Sequence, residues 1–81
     1  MQKTIYTTEY AAFLEALRRA REQSGLTQIE FAARLNVTQS FVSKCERGER
    51  RLDIVELRHW CTALGITLIQ FSSTYDEMCK K

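Results

Sequence analysis

Four signals for the start of a helix recur along the chain and constrain its fold more than any other feature. Thr27, Thr38, Asp53 and Thr67 have side chains that accept a hydrogen bond from the first turn of a helix. In three of the four cases a Glu or Gln follows three residues later, which completes a capping box, and apolar residues flank each cap as a hydrophobic staple. Four agreeing signals predict a chain of consecutive short helices.

Helix ends are marked as well. Gly25, Gly48 and Gly65 lie where left-handed C-terminal caps are expected, and Asn36 also adopts that conformation readily. Together, starts and ends predict five helices, over residues 8–24, 28–35, 39–47, 54–64 and 68–79, each with an apolar face at helical spacing. Residues 67–75 are rich in β-forming residues and would also suit a short strand, so the fifth element is open between helix and strand.

The length of 81 residues suits one domain, residues 1–81, which buries roughly 60–65% of its unfolded surface. No stretch approaches the roughly 18 apolar residues of a membrane span, and residues 1–8 lack an apolar signal core. We therefore expect a cytoplasmic protein with no membrane partner. Cys45, Cys61 and Cys79 include no close pair, so we expect reduced thiols and no metal site. A single histidine, His59, offers little for an active site, and we expect no enzyme activity, cofactor or small-molecule ligand.

Positive charge is concentrated in one segment. The net charge is only +2, but residues 34–51 carry five basic and two acidic side chains, while the rest of the chain is balanced. Within this segment, only residues 36–38 separate the second and third helices, and such a short connection predicts the steep crossing of a helix-turn-helix. The outward stripe of the third helix is wholly polar. Gln and Lys there suit adenine and guanine edges, although a solvated helix face is the simpler alternative.

From residue 17 to residue 64 the chain resembles the phage repressor and Cro family of XRE-type helix-turn-helix regulators. The resemblance rests on LTQ at 26–28, FA at 31–32, LNVTQS at 35–40 and ERG at 46–48, all at fixed spacing. It implies an all-α, five-helix, lambda-repressor-like DNA-binding domain with its helix-turn-helix at about 28–47. The third helix would lie in the major groove and the second across the DNA backbone.

The resemblance also implies roles for individual residues. The positions that match base-reading residues are Gln39, Ser40 and Lys44, with Ser43 as a fourth candidate. The positions that match phosphate-binding residues, or lie in the loop that meets the DNA backbone, are Gln28, Thr38, Arg47, Arg50 and Arg51; solubility is the alternative role for the three arginines. Arg21 and Glu46 match an internal ion pair that ties the first helix to the third and would also orient Gln28.

These observations predict a homodimeric transcriptional regulator, of the repressor or restriction-modification controller type, that binds an inverted repeat in double-stranded DNA. The fifth helix and tail, residues 67–81, carry more apolar surface than a terminal helix buries in a small monomer, and we expect them to mediate dimerisation. The residues predicted for the dimer interface are Trp60, Phe71, Tyr75 and Met78. The alternative function is an antitoxin-like module that binds a toxin and regulates its own operon. RNA polymerase is another protein partner that the sequence leaves open.

Overall fold

A side-chain cap begins every helix of the structure, a computed structural model that describes residues 7–80. The five helices are α1 (Thr8–Gln23), α2 (Gln28–Leu35), α3 (Gln39–Glu46), α4 (Ile54–Leu64) and α5 (Leu68–Cys79). The predicted capping boxes form at Thr27, Asp53 and Thr67, while the Thr38 side chain accepts from the Phe41 N–H without a reciprocal bond. The predicted helix bounds are therefore confirmed to within one residue at each end.

The fifth element is a helix, which settles the alternative that its sequence left open. The Thr67 hydroxyl accepts from the Gln70 N–H at 3.0 Å, and the Gln70 side chain accepts from the Thr67 N–H at 2.9 Å. Phe71 then packs edge to face on Phe13 of α1, with ring centroids 5.9 Å apart. A capped start and burial against α1 outweigh the β propensity of the segment, because propensity is weaker than tertiary packing.

The turn between α2 and α3 depends on a left-handed residue. Asn36 has φ 60° and ψ 43° and ends α2, and its N–H donates to the carbonyl of Ala33 at 3.2 Å. Val37 follows, with its N–H bonded to the carbonyl of Ala32 at 3.0 Å. These bonds satisfy the last carbonyls of α2 and redirect the chain within three residues, so α3 begins at Gln39 and packs against α2.

The core lies between the helices, with α1 against α5, α2 against α3, and α4 against both α2 and α5. Its fully buried side chains are Leu17, Phe31, Val42, Cys45 and Cys61. Burial raises the pKa of the Cys45 thiol to about 11 and also raises the pKa of Cys61, so both thiols stay protonated at neutral pH.

Two of the four residues predicted for a dimer interface belong to this core. Trp60 is 2% exposed and packs edge to face on Phe31, with ring centroids 5.1 Å apart, and Phe71 is 3% exposed. Neither side chain offers free surface to a second copy, so this part of the prediction is corrected. Helical spacing identifies one apolar stripe on α4, but α4 is covered on two sides, by α2 and by α5, and Trp60 lies on the side that faces α2.

Tyr75 and Met78, the other two residues predicted for the interface, are half-buried. The Tyr75 hydroxyl donates to the carbonyl of Glu9 at 3.2 Å, and its ring packs edge to face on Phe13. Contacts to Cys79 raise the Tyr75 pKa to about 12, so its hydroxyl remains protonated at neutral pH. The inner face of α5 is therefore used mainly to hold α1 within the protomer.

Candidate nucleic-acid interface

Helix α3 has one buried and one exposed face. Val42 and Cys45 are fully buried, whereas Gln39, Ser40 and Lys44 are exposed. Ser43 is partly exposed and contacts the guanidinium of Arg47, which caps the carboxyl end of the helix. The structure thus brings all four residues that were matched to base reading onto one surface, hereafter the α3 polar face.

A buried ion pair anchors α3 to α1. The Arg21 guanidinium donates to both carboxylate oxygens of Glu46, from Nε at 2.7 Å and from Nη2 at 3.1 Å. Its Nη1 donates to the carbonyl of Leu26 at 2.9 Å, so the guanidinium makes three hydrogen bonds to two groups. The two side chains are only 10% and 5% exposed. Both charged groups of this pair have hydrogen-bond partners, and the pair holds the carboxyl end of α3 against the carboxyl end of α1.

The same carboxylate begins a chain of hydrogen bonds that reaches the tip of α3. Gln28 donates from Nε2 to Glu46 Oε1 at 3.0 Å, and Gln39 donates from Nε2 to Gln28 Oε1 at 2.8 Å. Gln39 then retains one amide N–H and its Oε1, for which residues 7–80 provide no hydrogen-bond partner. In the major groove an adenine edge presents one acceptor and one donor, and a single amide can pair with both.

The basic side chains around α3 are held in different ways. Arg47 is paired with Glu49, at 2.9 Å and 3.2 Å, in a loop where both side chains are half exposed. Hydrogen bonds from Arg47 lower the pKa of Glu49. Arg51 lies 4.8 Å from the ring centroid of Tyr10 in α1. Within the described part of the chain, Lys44 has no carboxylate in salt-bridge range.

Arg50 differs from these in having contacts on two helices, with Glu56 of α4 and Phe41 of α3. Its Nη1 and Nη2 donate to the two carboxylate oxygens of Glu56 at 2.9 Å and 2.7 Å, and its Cζ lies 5.0 Å from the ring centroid of Phe41. Hydrogen bonds from Arg50, together with the Asp53 N–H, lower the pKa of Glu56 to about 2. Glu49 and Glu56 were not predicted from the sequence as partners of these arginines. The available signal was that Glu56 already completes the Asp53 capping box and follows Arg50 by six residues.

Metal ligation and membrane insertion both depend on features that the described residues can show. Among residues 7–80, no group of three or more His, Cys, Asp and Glu side chains is placed to hold a metal ion. None of the helices in that range is long and apolar enough to cross a membrane.

Comparison with known proteins identifies the class to which this polar helix belongs. A family model described as helix-turn-helix matches residues 17–71, which is more than half of the chain. A solved structure of an XRE-family like protein from Pseudomonas syringae pv. tomato is 44% identical, with a TM-score of 0.81 over 93% of this chain and 92% of that one. The chain belongs to the XRE-type helix-turn-helix family.

Two further proteins are similar to the chain in sequence. The HTH-type transcriptional regulator y4dJ of Sinorhizobium fredii is 36% identical over 59 residues, or 73% of this chain and 77% of that protein. The control protein C.MunI of a Mycoplasma species is 33% identical over 57 residues, or 70% and 77% of the two chains. As a member of the XRE family the chain is a DNA-binding transcription regulator, and the α3 polar face is its candidate DNA-contacting surface.

Proposed function

We propose that this regulator binds an inverted repeat as a homodimer, with α3 of each protomer in the major groove of one half-site. The observation that carries the proposal is the hydrogen-bond chain from Arg21 through Glu46 and Gln28 to Gln39. It orients an amide at the exposed tip of α3 from a buried anchor, and a merely solvated helix face has no need of such support. Preorganised side chains of this kind lower the entropic cost of recognition.

The roles on the α3 polar face follow from side-chain chemistry. Gln39 pairs with an adenine edge through its remaining N–H and Oε1, and Lys44 donates to a guanine edge. Ser40 and Ser43 are small, so they allow close approach of the helix and make short hydrogen bonds to bases. We assign the phosphate contacts that fix the register of the helix to Gln28, Thr38, Arg47 and Arg51.

The proposed dimer surface is the outward side of α4 and α5. Ile69 is 81% exposed and lines a shallow groove with Arg58 and Thr62, and Val55 lies one turn earlier on the same side of α4. A second copy would cover these apolar side chains, whereas the inner residues Trp60 and Phe71 remain in the core. A two-fold pair also supplies two recognition helices for two matched half-sites.

Dimerisation is tested by substituting the centre of this surface. We expect Ile69→Glu to shift the protein from dimer to monomer in sedimentation equilibrium at micromolar concentration, because a charge would have to be buried at the contact. Ile29→Glu is the matched control for assembly, since Ile29 is 69% exposed but lies on α2. A wild-type protein that stays monomeric both alone and on DNA would refute the dimer.

DNA recognition is tested by selecting bound sequences from a random double-stranded pool. We expect an inverted repeat to be enriched, with one half-site for each protomer. Lys44→Ala should relax base preference at one position of each half-site and leave the others unchanged. Failure to enrich any sequence would contradict the proposal and would favour the antitoxin-like alternative, in which a protein partner is the main ligand.

A further inference from the structure

Arg50 links the loop after α3, helix α3 itself and the first turn of α4. The relative orientation of these three parts determines how α3 enters the major groove. Its backbone belongs to the loop after α3, where the Arg50 N–H donates to the carbonyl of Lys44 at 3.3 Å. Its guanidinium forms the two-pronged pair with Glu56 in the first turn of α4, and it lies over the ring of Phe41. Phe41 projects from the inner side of α3 and is packed against the core. The guanidinium therefore bridges α3 to α4.

Glu56 is 33% exposed and takes part in two further hydrogen bonds at the start of α4. Its Oε1 accepts from the Asp53 N–H at 2.9 Å, and its own N–H donates to Asp53 Oδ1 at 2.8 Å. The Glu56 carboxylate thus accepts hydrogen bonds both from the Asp53 N–H at the start of α4 and from the Arg50 guanidinium. If Arg50 moved away to a phosphate, it would lose two charge-assisted hydrogen bonds and the contact with Phe41 together.

Arg47 provides the contrast within the same loop. Its partner Glu49 is two residues away, takes no part in a capping box, and is half exposed like Arg47 itself. Exposed pairs of this kind contribute little to stability, so Arg47 can exchange Glu49 for a phosphate at low cost. The two arginines were matched to the same phosphate-binding role, but their surroundings differ.

We propose that Arg50 is a positioning residue which, together with Glu56, sets the orientation of α3 on α4, and that it acts on DNA affinity through that orientation instead of by binding phosphate. This inference rests on the proposed function, and it gives Arg50 a role other than the phosphate contact that the family resemblance implied. It makes Glu56 a determinant of DNA binding although Glu56 carries a negative charge.

The two roles for Arg50 predict opposite effects of Glu56→Gln. If Arg50 binds phosphate, Glu56 competes with the DNA, and removing its charge strengthens binding. If Arg50 positions α3, removing the charge loosens the bridge and weakens binding. Gln retains an amide oxygen for the capping box, so the start of α4 is preserved in this variant.

The experiment measures affinity for the selected DNA by fluorescence anisotropy between about 50 and 200 mM salt. The variants are Arg50→Gln, Glu56→Gln and their combination, with Arg47→Gln as the matched phosphate control, all at a temperature where circular dichroism shows them folded. We expect each of the first three to lose about three- to tenfold in affinity, and the combination to lose no more than either single change. The slope of log K against log salt should stay constant for Arg50→Gln and flatten by about one per protomer for Arg47→Gln.

Arg50→Lys separates the two roles further. Lysine keeps the charge but cannot form the two-pronged pair, so a positioning role predicts a loss close to that of Arg50→Gln, while a phosphate role predicts near-normal binding. Stronger binding by Glu56→Gln, a flatter salt slope for Arg50→Gln, or full rescue by Arg50→Lys would each overturn the inference.

A measurement without DNA distinguishes failure of this inference from failure of the proposed function. In the free protein, Arg50→Gln and Glu56→Gln should shift the backbone amide resonances of residues 41–46 in the same way, and Arg47→Gln should leave residues 41, 42 and 45 unchanged. Unchanged amides in both bridge variants would overturn the positioning role. Shifted amides in a protein that selects no DNA sequence would support the bridge and refute the proposed function alone.

Discussion

The buried pair of Arg21 and Glu46 gives the prediction with the largest expected effect. Replacing Arg21 by Met leaves the Glu46 carboxylate buried without its cation, and Leu26 loses a donor to its carbonyl. Breaking a buried pair by removing one partner costs about 3–5 kcal/mol. A chain of this length has an unfolding free energy of about 4–12 kcal/mol, so Arg21→Met should remove about a quarter or more of the stability.

The double variant Arg21→Met, Glu46→Leu should behave differently, since no unpaired charge remains. Apolar replacement of a whole buried pair is often neutral or stabilising, and we expect a stability within about 1 kcal/mol of the wild type. DNA binding should nevertheless fall, because Gln28 loses its carboxylate acceptor and no longer holds Gln39. A hydrogen bond to a charged group contributes about 1.5–3 kcal/mol, which corresponds to a loss of about tenfold or more in affinity.

Stability is measured by urea unfolding, followed by circular dichroism and by the fluorescence of Trp60, the single tryptophan of the chain. Affinity is measured by anisotropy on the selected DNA. The control is Arg18→Met with Glu22→Leu, which removes the surface ion pairs of Arg18 with Glu22 and Glu15 in α1 and should change neither quantity appreciably. An Arg21→Met variant as stable as the wild type, or a double variant that binds DNA normally, would refute the reasoning.

Three further predictions concern single residues. Asn36→Gly should leave stability nearly unchanged, whereas Asn36→Ala should lose about 1 kcal/mol in urea unfolding, because φ is 60° there. The pKa of Glu56 is lowered by folding to about 2, so its pair with Arg50 adds stability that is present above its unfolded pKa. The difference in unfolding free energy between wild type and Glu56→Gln should therefore shrink as the pH falls from about 5 to 2. A disulfide reagent should label partly exposed Cys79 well before the buried Cys45, and equal labelling rates in the native protein would contradict this.

The helix boundaries could be predicted because they depend on residues close together in the chain. The box between Thr27 and Glu30 closes over three residues, and Asn36 adopts φ 60° at the position where α2 has to end. Such local interactions can be recognised in the sequence, because the residues that form them are separated by a fixed number of positions. The anchor of Arg21 on Glu46 spans 25 residues, and only the family resemblance indicated it.

The faces of α4 could not be predicted in the same way. Helical spacing alone places Ile54 on an apolar stripe with Leu57, Cys61 and Leu64, yet Ile54 is exposed and Trp60 is buried. Spacing shows which residues share one face of a helix, but it does not show how many neighbouring helices pack against that helix. Because α4 is packed between α2 and α5, its buried surface is broader than one stripe and is displaced from the first turn.

The local charge surplus also has to be reconsidered in three dimensions. Of the five basic side chains in residues 34–51, Arg50 is held by Glu56, and Arg34 donates to the carbonyl of Ala63 at 3.3 Å. This leaves Lys44, Arg47 and Arg51 for DNA, with Arg47 first released from Glu49. The surplus counted along the chain and the charge available to phosphates are therefore different quantities.

The salt dependence of binding follows from this count. Each phosphate neutralised on duplex DNA adds about −0.9 to the slope of log K against log salt. A dimer that uses Arg47 and Arg51 on phosphates makes four such contacts and has a slope of about −3.6, and one in which Lys44 also neutralises a phosphate beside its base makes six and approaches −5.4. We expect a measured slope between these values. A slope of about −8 or steeper would mean that basic side chains beyond Lys44, Arg47 and Arg51 contact phosphates, and would contradict this count.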